Sequence, residues 1–386
     1  MQTSTSLDRY DLENILLMEN RALPPRERAE MHYHLWEICQ AEGKPDLAMS
    51  HLAAAMLTDP LRMAPETGTP PARTILAINA AGTFQTNLPL GMLLDDTTRL
   101  HTLWLPDNGR IPERTRRRLE NIAPQLDCIF LCIAEDAALS ETILAADRLA
   151  RKTGVPVIGS GEAVLALSRT GAASVLPHSA DIILPQCRRI SMADSTAAAA
   201  GLNFPVLMRP VSSHAGRKLV KAESIQDWQQ ALKDYAQDED LFVTDFTDYR
   251  GPDGLWRKYR AVFVEGRPFP VHMAIHTDWA VWYYKARMEL YPERRAEETL
   301  FLTDMQAATG ERAARVLEAI GRAVPLDYFG LDFGVDAQGR LIVFEVETGM
   351  IVHDQDSPDV FPYKREPVRK IRQAVEAMAD RRAGRC

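Results

Sequence analysis

The chain has 386 residues, of which 46% are hydrophobic and 25% are charged, and its formal net charge is -8. This length allows two or three domains with hydrophobic cores, and the composition is typical of a globular protein. The acidic balance argues against a protein that binds nucleic acid or an anionic membrane. No apolar run is long enough to span a membrane, and the polar start MQTSTSLDRY is not a signal peptide. We therefore expect a cytoplasmic protein.

The cysteines indicate the same compartment. Five are present, and only Cys128 and Cys132 are close together in the sequence. This pair lies in an apolar run, with no second pair of Cys or His residues nearby. An odd number of cysteines without a metal-type cluster is typical of reduced thiols in a cytosolic protein.

Residues 1–62 are predicted to form a helical segment. Two amphipathic helices are predicted at Glu27–Ala41 and Pro45–Leu57. Residues with the spacing of a tetratricopeptide-type helix pair are Ala48, Leu52, Ala55 and Pro60. Only one such unit is visible, whereas about three are usually needed for a stable array. Two interpretations stay open: a helical cap packed on the next domain, and a peptide-binding module.

After a linker at 63–72, residues 73–160 are predicted to form a small parallel α/β domain. Apolar strands are predicted at Arg73–Asn79, Leu100–Leu105, Leu126–Ile133 and Val155–Ile158, and helices at Glu113–Ile122 and Ala137–Thr153. Strands that alternate with helices indicate a parallel sheet. Gly82 after the first strand is not part of a GxGxxG fingerprint, so dinucleotide binding is not indicated. The basic run Arg114–Arg118 is either a phosphate-binding patch or a solvated helix face.

Residues 161–386 contain most of the candidate functional side chains. Strand Phe204–Arg209 ends in a cation, and the small-residue loop Val211–Arg217 leads to strand Lys218–Lys221. A loop rich in Ser, Ala and Gly allows backbone N–H groups to surround phosphate oxygens. The alternative is a generic turn.

Paired cations occur further along this segment. Strands are predicted at Leu241–Phe246, Arg257–Val264, Pro268–Ile275 and Trp279–Arg287, and helices at Glu311–Val324 and Glu366–Arg381. Lys258 and Arg260 are two residues apart and share a strand face, as do Lys285 and Arg287. Such pairs in an acidic protein suggest an anionic ligand held on a sheet, although each side chain alone is compatible with a surface position.

An acidic hairpin is predicted next, with strands Phe329–Val335 and Arg340–Val346. Glu345 and Glu347 are two residues apart and point to the same face. A four-residue loop would place Asp332 on that face, and a three-residue loop with a Gly bulge would place it on the other; the sequence leaves both open.

Three carboxylates on one buried face would repel one another unless a cation lies among them. Ligation by oxygen atoms alone is what Mg²⁺ prefers, commonly together with phosphates. The alternative is an edge hairpin whose acids face water.

The order of these parts resembles the ATP-grasp superfamily. A parallel α/β domain comes first, followed by a strand, Arg-Pro, a small-residue loop and a strand, then R-x-Y-R, and last the hairpin D-x12-E-x-E. The superfamily includes D-alanine–D-alanine ligase, glutathione synthetase and the glutamate ligases that modify ribosomal proteins. The resemblance covers about residues 74–379 and implies an α/β (α+β) fold. It implies an ATP-grasp domain over 161–386, with a lid subdomain at about 165–240 and a metal and substrate subdomain at about 241–380.

The resemblance also implies roles for individual residues. The ATP phosphates would contact Arg169, Arg209, Ser212, Ser213, His214 and Gly216, and the adenine edge would contact Val243, Thr244, Asp245 and Phe246. Substrate contacts would be Lys258, Arg260 and Lys285, with Arg260 and Arg287 as the catalytic cations. The metal ligands would be Asp332, Glu345 and Glu347. This chain departs from the family pattern in having Glu347 in place of Asn and Arg209 in place of Lys.

The activity implied by the resemblance is ATP-dependent joining of a carboxylate to an amine through an acylphosphate, with release of ADP and phosphate. It implies ATP and Mg²⁺, or Mn²⁺, as cofactors and small-molecule carboxylates and amines as substrates. A peptide on the helical segment and a homodimer are further candidate partners; nucleic acid and membrane are not expected. Two alternatives stay open: an ATP-grasp phosphotransferase, and a non-catalytic ATP- and peptide-binding protein.

Overall fold

The computed structural model describes residue 14 and residues 23–66, 68–83, 85–211, 213, 216–236 and 239–385. This part of the chain divides into two compact units. The first unit extends to Leu165 and includes Thr348–Val352 and the residues from Arg372 onward. The second unit comprises Ala166–Glu347 and His353–Ile371. The division into helical segment, linker, α/β domain and ATP-grasp domain stays a prediction.

Two helices, α1 (Pro25–Ala41) and α2 (Pro45–Thr58), precede the sheet of the first unit. Each begins with a proline, whose fixed φ and missing N–H suit the first helical turn. Tyr33 and Leu52 are buried between them and pack with Trp104 from the sheet. This packing agrees with the cap interpretation, and the tetratricopeptide-like character of the segment stays a prediction.

The first unit contains a five-stranded sheet in the order β1-β3-β2-β4-β5. Its strands are β1 (Leu61–Arg62), β2 (Arg73–Ala80), β3 (Thr98–Leu105), β4 (Cys128–Leu131) and β5 (Val157–Ile158). Strand β1 is antiparallel to β3, and the other pairs are parallel. The helices after the sheet strands are α3 (Glu113–Ile122), α4 (Ser140–Lys152) and α5 (Gly161–Ala166). The sheet contains strands at the four positions expected from the sequence, paired in parallel, and β1 is an added antiparallel edge strand.

The second unit contains a four-stranded antiparallel sheet in the order β7-β10-β8-β9. Its strands and the nearby helices are α6 (Ala172–Val175), β7 (Cys187–Ser191), α7 (Ser195–Ala198), β8 (Val206–Pro210), β9 (Val220–Ala222), α8 (Ile225–Ala231) and β10 (Asp240–Asp245). One face packs on the fully buried Trp228, together with Met208 and Val243. Because side chains alternate along a strand, Arg209 and the directly opposed Phe242 point to the other face.

A five-stranded sheet in the order β12-β11-β13-β14-β6 forms the rest of the second unit's framework. Its elements are β6 (Ile182–Ile183), β11 (Trp256–Val264), β12 (Arg267–His276), β13 (Tyr328–Val335) and β14 (Leu341–Glu347). The remaining helices of this unit are α9 (Pro292–Thr303), α10 (Met305–Thr309) and α11 (Glu311–Ala323). The last helix, α12 (Arg365–Arg382), begins in this unit, and its residues from Arg372 onward belong to the first unit. Aromatic pairs fill one side, with the rings of Phe263 and Phe329 4.4 Å apart. The mixed parallel and antiparallel sheets confirm the predicted α/β (α+β) class.

The predicted strand Trp279–Arg287 is wrong. Tyr283–Ala286 is a 3₁₀ helix, and Arg287 has a φ of 48°. Trp282 and Tyr284 are exposed. The aromatic composition favours a strand, but such preferences give way where no neighbouring strand is present to pair with.

Other elements had no counterpart in the predictions, namely the strands β1, β6 and β7 and the helices α5 to α10. The remaining 3₁₀ helices lie at Leu90–Leu93, Ala123–Gln125, Ala137–Leu139, Ala199–Gly201, Leu232–Asp234, Met288–Leu290 and Pro362–Lys364. None of the helices within the described ranges is long and apolar enough to cross a membrane.

Candidate functional site

A row of charged side chains crosses the larger sheet of the second unit. Arg260 on β11 is directly opposite Asp332 on β13, and Asp332 is directly opposite Glu345 on β14. Glu347 is opposite Gly330, two residues from Asp332, so it lies on the same face. We call Arg260, Asp332, Glu345 and Glu347 the charged row.

The register of the acidic hairpin depends on a bulge. Val335 pairs with Leu341 across a five-residue loop, whereas Asp332 pairs with Glu345. Phe344 is therefore the extra residue on β14. If Phe344 were part of a regular ladder, the five-residue loop would place Asp332 opposite Phe344, and both glutamates would point to the other face. The structure thus has neither of the two loops considered from the sequence, but it has the acids on one face.

Asp332 is only 2% exposed and is paired with two cations. Its carboxylate lies 2.6 Å from Nζ of Lys258 and accepts hydrogen bonds of 2.7 and 2.9 Å from Nε and Nη2 of Arg260. Burial alone would raise the pKa of Asp332, but the charges of Arg260 and Lys258 outweigh it and hold this pKa well below its usual range. Asp332 is therefore a carboxylate at neutral pH.

Glu345 is paired with Arg169, whose Nη2 donates a hydrogen bond to Oε1. Burial would raise the pKa of Glu345, and the charge of Arg169 holds it below the usual value. Arg209 lies close enough for its charge to act in the same direction. Burial, and then the charge of Arg169, lower the pKa of Arg209 to about 10. Its Nε donates a 3.0 Å hydrogen bond to Oγ of Ser213, which orients the side chain.

Glu347 differs from the other two acids. Within the described ranges, its carboxylate makes no hydrogen bond or ion pair. Burial raises its pKa to about 7; Arg260 opposes this, and the neighbouring Glu345 and Asp332 add to it. A half-buried carboxylate in this position either holds a proton or binds a cation.

The donor set suits a hard divalent cation, because all three acids supply oxygen ligands and Glu347 lacks a partner among the described residues. In the arrangement seen, however, no group of three or more His, Cys, Asp or Glu side chains in the described chain is spaced to hold a metal. Lys258 and Arg260 contact Asp332, and Arg169 contacts Glu345. A metal would therefore have to displace these cations, and the metal assignment stays a prediction.

The residues predicted to contact adenine lie at the end of β10. Val243 belongs to the hydrophobic core, so only its main chain is available to a ligand. Thr244 is opposite Leu207, on the face that carries Arg209, and Asp245 lies 3.7 Å from Arg188.

An open cavity of about 680 Å³ is lined by the last of these residues, Phe246, and by other aromatic and charged side chains. Nζ of Lys221 lies 3.8 Å from the ring centre of Phe246, and the rings of Trp256 and Trp279 lie 5.9 and 6.0 Å from it.

Other predicted site residues are not brought to the charged row by the contacts seen. Arg287 is 64% exposed at its side chain and lies 3.4 Å from Glu289. Lys285 lies over the ring of Trp282 at 5.6 Å. Gly216 has a φ of 67°, in the left-handed region that favours glycine. The predicted loop residues Ser212 and His214 lie outside the described residues.

Sequence reasoning missed a second polar cluster in this unit, formed by Tyr283, Glu298, Asp356, Tyr363 and Lys364. We call it the lysine cluster. Nζ of Lys364 lies 2.7 Å from Asp356 and 3.4 Å from the fully buried Glu298. The sequence contains one indication of this cluster. Glu298 has the helical spacing of Arg294, Phe301 and Leu302, which form the buried face of α9. A charge within such a stripe indicates a buried partner.

No protein-family model matches the chain, and no curated protein matches its sequence. Among solved structures, it is similar to the D-alanine–D-alanine ligase from Bacillus anthracis, at 12% identity, 81% coverage of this chain, 98% of that chain and a TM-score of 0.49. Carboxyaminoimidazole ribonucleotide synthase from Aspergillus clavatus, in complex with ATP, is 11% identical, with 73% of this chain and 71% of that chain covered and a TM-score of 0.45. The RimK-domain ATP-grasp protein from Sphaerobacter thermophilus is 13% identical, with 78% of this chain and 99% of that chain covered and a TM-score of 0.44. Similarity at this level assigns no activity to this chain.

Proposed function

We propose that the protein is an ATP-dependent carboxylate–amine ligase of the ATP-grasp type. The observation that carries the proposal is the charged row, in which Arg260, the buried Asp332 and Glu345 lie opposite one another on three adjacent strands. Phosphoryl transfer depends mainly on positioning and on neutralising charge, and such a row supplies both. The order of motifs along the sequence, which resembles the ATP-grasp superfamily, supports the same class.

The cations around Glu345 would hold the nucleotide. Arg209 and Arg169 approach the same carboxylate from the smaller sheet and the segment before it. Their planar guanidinium groups suit phosphate oxygens. Thr244 on β10 lies on the same sheet face as Arg209. Phe246 follows β10 and lines the open cavity, so the adenine base of ATP would lie towards the Phe246 end of this strand.

Asp332, Glu345 and Glu347 would hold Mg²⁺, which would neutralise charge on the phosphates when bound. With these acids occupied in this way, Lys258, Arg260 and Arg169 would no longer be paired with them. The three side chains would then be able to hold the anionic groups of ATP and of the carboxylate substrate.

In the reaction, the substrate carboxylate attacks the γ-phosphate of ATP, and ADP leaves. The resulting acylphosphate is attacked by an amine, an amide forms and phosphate leaves. Arg260 and Lys258 would orient the carboxylate, and the loop 211–217 would exclude water from the acylphosphate. A cytoplasmic location, a peptide on the helical segment and a homodimer stay predictions.

A test uses the purified protein with Mg-ATP, a mixture of the standard amino acids and D-alanine, and hydroxylamine as the amine. We expect ADP release that depends on the mixture, together with hydroxamates, because hydroxylamine traps an acylphosphate. A reaction without amino acids measures basal ATP hydrolysis. A stable phosphorylated product would favour a phosphotransferase, and ATP binding without any product would favour a non-catalytic protein.

The phosphate-binding role of Arg209 predicts a difference between two substitutions. Arg209→Met should lower the affinity for Mg-ATP by roughly 10- to 100-fold, because a hydrogen bond to a charged group contributes about 1.5–3 kcal/mol. Arg209→Lys keeps the charge and should stay within about tenfold of the original affinity. Isothermal titration calorimetry measures both.

The control for this prediction is Arg340→Met, which removes an arginine paired with Asp336 outside the charged row. It should bind Mg-ATP normally. Equal affinities for Arg209→Met and Arg340→Met would exclude Arg209 from the nucleotide site.

A further inference from the structure

The lysine cluster lies next to one end of the charged row. His272 on β12 is directly opposite Arg260, so it extends the row by one strand on the same face. The centre of its ring lies 4.6 Å from that of Tyr283. Nδ1 of His272 is buried and makes no hydrogen bond within the described chain. Tyr283 therefore joins the row to the lysine cluster.

Lys364 is held in this cluster by several groups at once. Its Nζ donates a hydrogen bond to Oη of Tyr283 and lies 4.2 and 4.5 Å from the ring centres of Tyr283 and Phe361. Asp356 and Glu298 are its acidic neighbours. The residue is only 5% exposed. A lysine placed among fixed groups in this way cannot act as a freely hydrated surface charge.

The other members of the cluster fix Glu298. Oη of Tyr363 donates a 2.7 Å hydrogen bond to its Oε2, and the backbone N–H of Met273 donates one of 3.2 Å to its Oε1. Burial raises the pKa of Glu298 to about 7 and lowers the pKa of Lys364 to about 7. The lysine can therefore gain or lose a proton near neutral pH.

A carboxylate–amine ligase needs a group with this property. An alkyl amine is protonated at neutral pH and has no lone pair until it loses a proton. Asp332, Glu345 and Glu347 are all assigned to the metal, so none of them is free to accept this proton. The lysine cluster is the group of described residues beside the row that remains available.

We propose that Tyr283 and Lys364 form the proton acceptor for the amine substrate. This proposal rests on the proposed ligase function. Oη of Tyr283 takes a proton from the substrate ammonium group and passes its own proton to neutral Lys364, which becomes an ammonium ion. The freed amine lone pair forms a C–N bond with the acyl carbon, the C–O bond to phosphate breaks, and phosphate leaves with that electron pair. The second N–H proton leaves with the phosphate.

Two amines of equal size separate this role from a structural one. Methylamine is protonated at neutral pH and needs a base, whereas hydroxylamine is largely unprotonated and does not. With Mg-ATP and the amino-acid mixture, Tyr283→Phe should form N-methylamides about 10²- to 10³-fold more slowly, the range for losing general-base catalysis. Hydroxamate formation and the KM for ATP should not change. The matched control is Tyr284→Phe, which removes a hydroxyl from an exposed neighbour and should affect neither amine.

A second variant tests Lys364 itself. Lys364→Arg keeps the positive charge but cannot become neutral near pH 7. It should also lose methylamide formation and keep hydroxamate formation. In the wild-type protein, ¹³C-labelled Lys364 should titrate near neutral pH, whereas surface lysines should not.

The outcomes separate the two proposals. Equal loss with both amines would show that Tyr283 has a structural role, and no loss with either would show that it has none in the reaction. Titration of Lys364 together with the surface lysines would also overturn the proton-acceptor role. Wild-type protein that forms no hydroxamate would overturn the ligase proposal, and the proton-acceptor role would fall with it.

Discussion

The Asp332→Asn variant should lose at least roughly 10²- to 10³-fold of its Mg-ATP-dependent turnover, the effect of removing one group that stabilises transition-state charge. The carboxylate lies at the centre of the charged row and is the proposed ligand that both Lys258 and Arg260 contact. Asn keeps the shape of the side chain but cannot neutralise a cation. ADP release with the amino-acid mixture and hydroxylamine measures the loss.

The same variant should remain folded. Breaking a fully buried ion pair costs about 3–5 kcal/mol. The side chains of Lys258 and Arg260 keep 24% and 23% of their surface exposed, so water can solvate them and the cost should be smaller. Chemical denaturation of the variant measures the free energy of unfolding directly.

The chain offers a close control for Asp332→Asn. Asp336 is also buried, lies in the loop of the same hairpin and pairs with Arg340, but it lies outside the charged row. Asp336→Asn should cost stability and keep turnover, while Glu345→Gln should lose turnover as Asp332→Asn does. Normal turnover in both Asp332→Asn and Glu345→Gln would show that the metal assignment is wrong.

Glu347→Gln should change the pH dependence of stability. Burial raises the pKa of Glu347 in the folded protein to about 7, above the value of 4.5 for an unperturbed glutamate. The folded state then binds the proton more tightly than the unfolded state, so stability falls as the pH rises from about 4.5 to 7. Each unit of pKa difference corresponds to about 1.4 kcal/mol, which puts the full effect on the order of 3–4 kcal/mol. Gln cannot ionise, so the variant should be more stable than the wild type at pH 8.

Urea denaturation at pH 5 and pH 8 measures this difference in unfolding free energy. Glu318→Gln, on the exposed face of α11, is the control and should leave the pH dependence unchanged. Turnover of Glu347→Gln should persist, because the superfamily that the sequence resembles has a neutral amide at this position. A pH dependence identical to that of the wild type would show that Glu347 is ionised throughout this range.

The sequence predicted the parts of the fold in which local pattern and tertiary pairing agree. The apolar run Arg73–Asn79 became β2, and the predicted hairpin became β13 and β14 with small shifts of their ends. Trp279–Arg287 failed, because strand-forming residues do not form a strand without a partner. Helix α9 was missed, because its buried stripe includes Arg294 and Glu298 among the apolar residues.

The candidate site divides in a similar way. Acids and arginines with the right spacing were recognisable, and the structure places Arg169, Arg260, Asp332 and Glu345 in contact or opposite one another. The pairing of Asp332 with Lys258 depends on which strands become neighbours, which spacing within one strand does not reveal. Lys364 comes from a segment distant in sequence from Glu298, so the lysine cluster exists only after folding.

The bulge at Phe344 decides which residues of the hairpin lie opposite each other. The five-residue loop and the bulge each shift the ladder by one position relative to a four-residue loop with a regular ladder, and the two shifts together keep the acids on one face. Deleting Phe344 would remove the bulge and leave Val343 opposite Phe333 and Glu345 opposite Asp332, so the charged row would persist on a regular ladder. Taking Phe344 into a regular ladder without deleting it would instead turn both glutamates towards the apolar face. The row therefore depends on Phe344 staying outside the ladder, and a hairpin that lacks this residue should keep the row.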